Sequence, residues 1–312
     1  MIASRVLVTG GAGFIGSELT TQLVADGHEV VVLDNLSTGR WANLEGPSSG
    51  RITRVVGDVR DRAMVSTVVK DVSVVFHLAV VNLRQALLEP RLAHDVNATG
   101  TLTMLEAARE AGVPRFVHVS SSEVYGTALR PAISEEHPTM PTTVYGASKL
   151  AGEALARAHF GTYGYPVTVV RPFNSYGRRS HHEGTSGEVI PRWMRRALAA
   201  QPLVVTGDGL QTRDFTHVSD TARGIRMAGA SDQTIGRTVN IASGCERTLL
   251  EVADAIAAAC DRDRVALEHA PPRAGDIIRQ RADISRAREV LGFEPRVTFA
   301  DGLRDLRLSI ES

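Results

Sequence analysis

Cysteine is nearly absent from this chain, with only Cys245 and Cys260 among 312 residues. So few thiols, without metal-ligand spacing, exclude a disulfide-stapled scaffold and fit a reducing, cytoplasmic setting. An excess of one charge is also missing, because 35 basic and 35 acidic side chains cancel. That excludes a broad cationic face for nucleic acid while leaving room for a local anion pocket. No run of about 18 apolar residues occurs, so no membrane span is expected. The opening MIASRVLVTGG leads directly into a strand pattern and lacks the apolar stretch and cleavage site of a secretory leader. His181 and His182 have no third ligand at a sensible spacing, so no metal site is expected.

What is present is a regular alternation through about residue 175. Val6–Val8, Val30–Leu33, Ile52–Val56, Val74–His77, Phe116–Val119 and Val167–Val170 read as buried strands. Phe14–Asp26, Thr101–Ala111 and Tyr145–His159 read as helices, with Gly27 and Gly112 where C-terminal glycines belong. This predicts an α/β fold, a Rossmann-type doubly wound parallel sheet covered on both faces. Past Pro172 the rhythm breaks. The polar stretch NSYGRRSHHEGTSGE precedes a helix near Ile190–Ala200, then Leu203–Thr206, a GDG turn and a helix over Leu249–Ala259. Two units are expected: residues 1–172 as the dinucleotide domain, with some later segments returning to it, and 173–312 as a smaller C-terminal substrate-binding lobe.

TGGAGFIG, Thr9–Gly16, follows the first strand and opens the first helix. Gly11, Gly13 and Gly16 satisfy G-x-G-x-x-G; Gly10, Gly13 and Gly16 satisfy the variant with one more residue in the first gap. Glycines permit the tight turn and the close approach of a pyrophosphate, and the helix N-terminus supplies free N–H groups. Asp34 ends the second strand at the place where a carboxylate binds adenosine ribose hydroxyls. Its charge repels a 2′-phosphate, which favours NAD over NADP, although Arg40 is a nearby group of the type that accepts one. Asp58, in GDVRD, is placed either to reach adenine or to cap a turn.

Tyr145 and Lys149 stand four residues apart on one helix face, with Ala147, Leu150, Ala151, Ala154, Leu155 and Ala158 assigned to the opposite, apolar face. A tyrosine of ordinary pKa, near 10, is a poor base at neutral pH. A neighbouring ammonium and an oxidised nicotinamide would lower it.

At these residues the chain resembles the extended short-chain dehydrogenase/reductases, in particular the NAD-dependent sugar-nucleotide epimerase/dehydratase group. The likeness runs through TGGAGFIG, LDNLSTG (Leu33–Gly39), GDVRD, HLA (His77–Ala79), SSSEVYG (Ser120–Gly126), YGASK, RPFNSYG (Arg171–Gly177), VIPRW (Val189–Trp193), GDGLQTRDFTHVSD (Gly207–Asp220) and LGFEP (Leu291–Pro295). The resemblance implies that Gly10, Gly13, Phe14, Ile15 and Gly16 form the pyrophosphate turn. It places Asp34, Asn35, Ser37, Thr38 and Gly39 at the adenosine ribose, Asp58 and Val59 at adenine, and Leu78, Ala79 and Val80 near the nicotinamide. Val80 replaces a usually smaller residue. Asn97 falls on the cofactor-side helix, Lys149 bridges the nicotinamide ribose, and Phe173 covers the nicotinamide side. On the substrate half, Asn174, Val189 and Arg213 match family positions for a nucleotide-diphosphate sugar. Ile278 takes the place where a second diphosphate arginine is expected, which leaves Arg273 and Arg279 as candidates. A homodimer through Thr101–Ala111 and Tyr145–His159 is also implied.

The implied chemistry begins with Tyr145 taking a proton from a sugar hydroxyl while Ser121 steadies the forming carbonyl. A 4-epimerase needs no further acid or base. A 4,6-dehydratase of this family uses an adjacent Asp-Glu pair, and here those places hold Ser122 and Glu123. The Ser-Glu pair matches uronate decarboxylases instead, whereas NLSTG, VIPRW and RDFTHVSD are epimerase-like. The expectation is a nucleotide-sugar 4-epimerase; the alternatives are a UDP-glucuronate decarboxylase or a 4,6-dehydratase. A non-catalytic dinucleotide-sensing protein is a further alternative, but it would have no need of Ser121, Tyr145 and Lys149 together.

Overall fold

The computed structural model describes residues 4–46, 49–182, 188–272 and 277–311. Short β-branched runs alternate with longer segments of helical period. They form β1 (Arg5–Thr9), α1 (Phe14–Ala25), β2 (Glu29–Asp34), β3 (Ile52–Val56), α2 (Arg62–Val68) and β4 (Val74–His77). Next come α3 (Leu83–Leu88), α4 (Pro90–His94), α5 (Thr101–Glu110), β5 (Phe116–Val119), α6 (Val144–Tyr163) and β6 (Val167–Pro172). The remainder is β7 (Asn174–Tyr176), α7 (Val189–Leu198), β8 (Leu203–Thr206), β9 (Thr212–His217), α8 (Val218–Ala230) and β10 (Thr238–Ile241). It ends with β11 (Glu246–Thr248), α9 (Leu249–Ala259), β12 (Leu267–Ala270), α10 (Ser285–Leu291) and α11 (Phe299–Glu311).

Seven strands pair in parallel in the order β10-β6-β5-β4-β1-β2-β3. Successive side chains go to opposite faces, and both faces are dry. Val6, Val8, Val30 and Val32 pack under α1, α8 and α10, whereas Leu7, Val31 and Leu33 pack with α2, α5 and α6. The chain winds outward in both directions from β1, so the ends of β1 and β4 flank the crevice where such sheets bind ligands. β10 comes from beyond residue 172 and closes one edge of the sheet. A third core joins Trp193 and Met194 of α7, Val205 of β8, Phe215 of β9, Ile256 of α9 and Leu303 of α11.

Two sequence-based readings are corrected. β3 is not a buried strand: it is the sheet edge, and Val56 there is 59% exposed. The outermost strand has one neighbour, so half its surroundings are missing. α6 also faces the other way from the prediction. Its alanine stripe points outward, with Ala147, Ala154 and Ala158 exposed, whereas Lys149, Gly152, Glu153 and Ala156 face the sheet. Gly152 permits this approach, since a Cβ there would lie 2.6 Å from the Asn97 carbonyl oxygen.

The polar face goes inward because it has partners. Arg171, in a fully buried strand, is only 2% exposed. Its Nε donates to Glu153 Oε2 at 2.9 Å, and its Nη2 donates to the other carboxylate oxygen, which Arg157 also reaches. Nη1 donates to the Tyr125 hydroxyl at 2.6 Å, and that hydroxyl donates to Asn240 Oδ1 at 2.7 Å. One chain of bonds therefore joins α6, β6, the turn after β5, and β10. Glu153→Ala should lower the unfolding free energy by about 3–5 kcal/mol, because it strands a buried cation. Urea unfolding midpoints test this, and Glu153→Leu with Arg171→Met should recover most of the loss. Equal stability of the single variant and the parent would show that the pair is dispensable.

Candidate active site

The first turn is built by contact. Gly10 has φ +68°, its N–H donates to Leu33 O at 2.8 Å, and Gly13 N–H donates to Gly10 O at 3.1 Å. An added Cβ at Gly16 would sit 2.1 Å from that same oxygen, so only glycine closes the turn. α1 starts at Phe14 with no side-chain cap and no acid in its first turn. Its leading N–H groups and dipole are thus free to meet an anion, and the donor set fits a dinucleotide pyrophosphate.

Asp34 lies against this turn. Its carboxylate accepts from Ala12 N–H at 3.0 Å and Leu36 N–H at 2.8 Å, and Leu36 adopts φ +58° to make the second bond. Burial raises its pKa against the lowering effect of those two bonds. Gly39 packs directly on the carboxylate, where a Cβ would fall 2.8 Å from Oδ1. Asn35 turns toward Asp58 at 3.4 Å and fixes Ser37 N–H at 3.0 Å, leaving Ser37 exposed and Thr38 half-buried. Asp58 is held by Arg60 through Nε at 2.9 Å and Nη2 at 2.8 Å, which lowers its pKa to about 2. Val59 is buried against Gly100.

At the crevice, Thr9 pins β1 to the loop that follows β4. Its hydroxyl accepts from the N–H groups of Leu78 and Ala79, both at 3.2 Å, and meets His77 Nδ1 at 2.8 Å. Leu78 is buried, Ala79 half-buried and Val80 exposed. Burial, with Lys149 nearby, lowers the His77 pKa to about 3, so the ring is neutral. Asn97 sits in the π-helical turn Asp95–Gly100 and spends its amide on the protein: Val81 N–H at 2.8 Å, Val81 O at 3.1 Å and Ser148 Oγ at 2.9 Å. It thereby locks the loop after β4 to α6. Phe173 is buried 6.2 Å from the Tyr125 ring.

The catalytic candidates converge at the start of α6. Thr143 caps that helix through Gly146 N–H at 3.0 Å. Tyr145 is hydrogen-bonded to Ser121, whose oxygen also accepts from Glu123 N–H at 3.2 Å. Lys149 is 2% exposed, and its Nζ donates to Val119 O at 2.6 Å. Burial lowers its pKa to about 8, opposed by the charge of Glu153. The predicted lowering of the tyrosine does not follow from the protein's own groups. Burial, aided by Glu123 and Glu188, pushes Tyr145 up to about 12. Ser122 is buried beside Glu123 in the short turn Ser122–Val124.

On the substrate side, Asn174 opens β7 with its Oδ1 buried and unpartnered among the described residues. Val189 is the first residue of α7. Arg213 does not pair with Asp214; its Nη1 donates to Thr212 O at 2.9 Å and Ile277 O at 2.6 Å. Asp214 is occupied elsewhere, holding Ser243, Gly244 and Ala282 through their N–H groups. Arg279 forks onto Glu246 with Nε at 2.9 Å, and Ile278 beside it is exposed. Arg273 lies outside the described residues. Sequence reasoning missed Glu153, Arg171 and Glu188. An arginine inside the apolar run VTVVRP, and Glu153 four residues after Lys149, were the available signals for the first two.

A doubly wound parallel sheet with Ser, Tyr and Lys at its crevice defines an extended short-chain dehydrogenase/reductase. A profile of the family described as GDP-mannose 4,6 dehydratase matches residues 7–306, and the chain belongs to that family of nucleotide-sugar epimerases, dehydratases and decarboxylases. It is 38% identical over 303 residues to a UDP-glucose 4-epimerase of Mycolicibacterium smegmatis, covering 96% of each chain. It is 37% identical over 308 residues to a dTDP-glucose 4,6-dehydratase of Streptomyces niveus, covering 96% of this chain and 90% of the other. A UDP-glucuronic acid decarboxylase 1 of Danio rerio is 34% identical over 305 residues, at 96% and 71% coverage. Among solved structures, DesIV, a dTDP-glucose 4,6-dehydratase from Streptomyces venezuelae with NAD bound, superposes with a TM-score of 0.92 at 34% identity, covering 98% and 97%. No described helix is long and apolar enough to cross a membrane.

The turn geometry sets a test. Gly16→Ala should weaken NAD+ binding by at least about tenfold, or 1.4 kcal/mol, in a titration followed by protein fluorescence. Gly50→Ala, where a Cβ meets nothing within 4 Å, serves as the control and should bind as the parent does. Equal affinity in the two variants would remove the turn from the dinucleotide site.

Proposed function

We propose that this protein is an NAD-dependent nucleotide-sugar 4-epimerase working through a transient 4-keto sugar. The observation that carries this reading is the hydrogen-bonded Ser121–Tyr145 pair one helical turn from Lys149, with serine rather than a second carboxyl beside Glu123. Proton removal and hydride transfer at C4 need the first set alone, and elimination of water needs an additional acid and base. Tyr145 takes the C4 hydroxyl proton, and Ser121 holds the oxygen as it becomes a carbonyl. When bound, NAD+ supplies the hydride acceptor and a positive ring that favours tyrosinate. Lys149, kept protonated by Glu153, adds a second positive charge nearby. Presentation of the other face of the keto sugar would let the hydride return to C4 with inversion while Tyr145 returns the proton to the C4 oxygen.

In this reading Gly10–Gly16, Asp34 and the Asn35–Gly39 turn hold the dinucleotide's phosphates and adenosine, and Leu78–Val80 border its nicotinamide. Residues 1–172, with β10 returning, carry the dinucleotide; 173–312 supply most substrate contacts. Asn174, Val189 and Arg213 face the nucleotide sugar, with Arg273 or Arg279 as the second diphosphate cation. For Arg279 this means exchanging the Glu246 carboxylate for a phosphate, which its planar fork fits equally well. The exposed alanine stripe of α6 is a suitable surface for a homodimer of a cytoplasmic enzyme. A second reading, UDP-glucuronate decarboxylase, is favoured by the Ser122–Glu123 pair alone.

Mass-resolved assays on UDP-, dTDP-, GDP- and ADP-sugars should return a product of unchanged mass. Loss of carbon dioxide would assign a decarboxylase and loss of water a dehydratase. Tyr145→Phe should lower kcat by at least about 100-fold, the scale of acid–base catalysis, while leaving the thermal midpoint unchanged. Near-parental turnover would remove Tyr145 from its role.

A further inference from the structure

The sheet ends at β10, an edge strand with two backbone groups met by side chains. Glu135 accepts from Asn240 N–H at 2.8 Å, and Arg286 of α10 donates through Nη1 to Thr238 O at 3.1 Å. Beside them opens a polar cleft of about 410 Å³. Its charged lining is Glu135, Glu136, Arg157, Arg171, Arg237 and Arg286, none of which was assigned above to the dinucleotide or the sugar. Protection of the edge explains Glu135 and Arg286. It does not explain why Arg157 of α6 and Arg237, just before β10, line the same hollow. Three carboxylates serve these four arginines. Glu153 holds Arg157 and Arg171, Glu136 accepts from Arg286 Nη2 at 2.6 Å, and Glu135 Oε2 lies 3.7 Å from Arg286 Nε. Arg237 is exposed and makes no ion pair among the described residues, so one positive charge is left over. Glu136 is the carboxylate held least, with its side chain 75% exposed.

We propose that this cleft binds a small oligophosphate anion, either inorganic pyrophosphate or the phosphate chain of a nucleotide, at a site separate from the dinucleotide crevice. A guanidinium presents a planar fork that pairs with two phosphate oxygens. Glu136 occupies that fork on Arg286 with a single charge, and its exposure lets it swing into water when a stronger anion arrives. Arg286 itself keeps its place through Thr238 O. An oligophosphate carries enough charge and oxygens to engage Arg286 and the uncompensated Arg237 together, which one carboxylate does not. The cleft is also continuous with the buried network, because Arg171 is both part of its lining and the partner of Glu153 on α6. An anion held there favours the folded chain by mass action. The proposal does not depend on the nucleotide-sugar reading.

The test is calorimetric titration of the full-length protein with pyrophosphate at low salt, with NAD+ and UDP saturating so that the crevice does not compete. The parent should bind. Arg237→Ala should weaken binding by at least about tenfold, the scale of a hydrogen bond to a charged group. Arg62→Ala, on α2 and outside the cleft, should bind as the parent does. Glu136→Gln should tighten binding by about two- to fivefold, because the competing charge is gone. Pyrophosphate should raise the thermal midpoint of the parent and leave that of Arg237→Ala in place. With ADP as the titrant, tighter binding assigns the phosphates to a nucleotide, and equal binding to a free oligophosphate. Absence of binding to the parent, equal affinity in Arg237→Ala and Arg62→Ala, or loss of binding when NAD+ and UDP are added would overturn the site.

Discussion

The buried pair Glu153–Arg171 is the constraint on which the site depends. A guanidinium inside a parallel strand is tolerated only with an anion and further acceptors around it. Glu153 and the Tyr125 hydroxyl meet that demand, and Asn240 extends the chain to the sheet's edge. Because Tyr145, Lys149 and Glu153 recur every fourth residue, fixing the last sets the rotation of α6 and aims the first two into the crevice. Glu153 also sustains the charge on Lys149 against burial. A single carboxylate thus acts on packing, orientation and electrostatics together.

Low dielectric has opposite consequences for the two catalytic neighbours. Each is driven toward its neutral form, so Lys149 falls to about 8 while Tyr145 rises to about 12. Two carboxyls near the phenol, Glu123 and Glu188, reinforce its proton. The protein's own groups therefore hold the tyrosine protonated. In the proposed mechanism, basicity is linked to the charge state of the dinucleotide, which confines proton removal to the state able to accept a hydride.

The polar groups of the crevice divide by what already satisfies them. Thr9, His77 and Asn97 are consumed by internal bonds that join β1, the loop after β4 and α6. Asp34 and Asp58 are preset by backbone N–H groups and by Arg60. Asn174 Oδ1 and Glu188 Oε2 remain without protein partners among the described residues. Buried polar atoms are seldom left unpaired, and both belong to the half of the crevice assigned here to the sugar nucleotide.

Taken alone, the order of residues determined the features carried by local pattern. The strands β4 and β5, the helix over Leu249–Ala259, the glycine turn with Asp34 and the Tyr145–Lys149 spacing each need only a few neighbouring residues to be recognised. Tertiary structure decided what depends on distant partners. It turned the alanine face of α6 outward, because Arg171 and Val119 O claim the polar face. It left β3 exposed as an edge and brought β10 back to the sheet. The physical reason is common to all of these: periodicity and turn chemistry are local, whereas burial and charge pairing exist only once the segments have met.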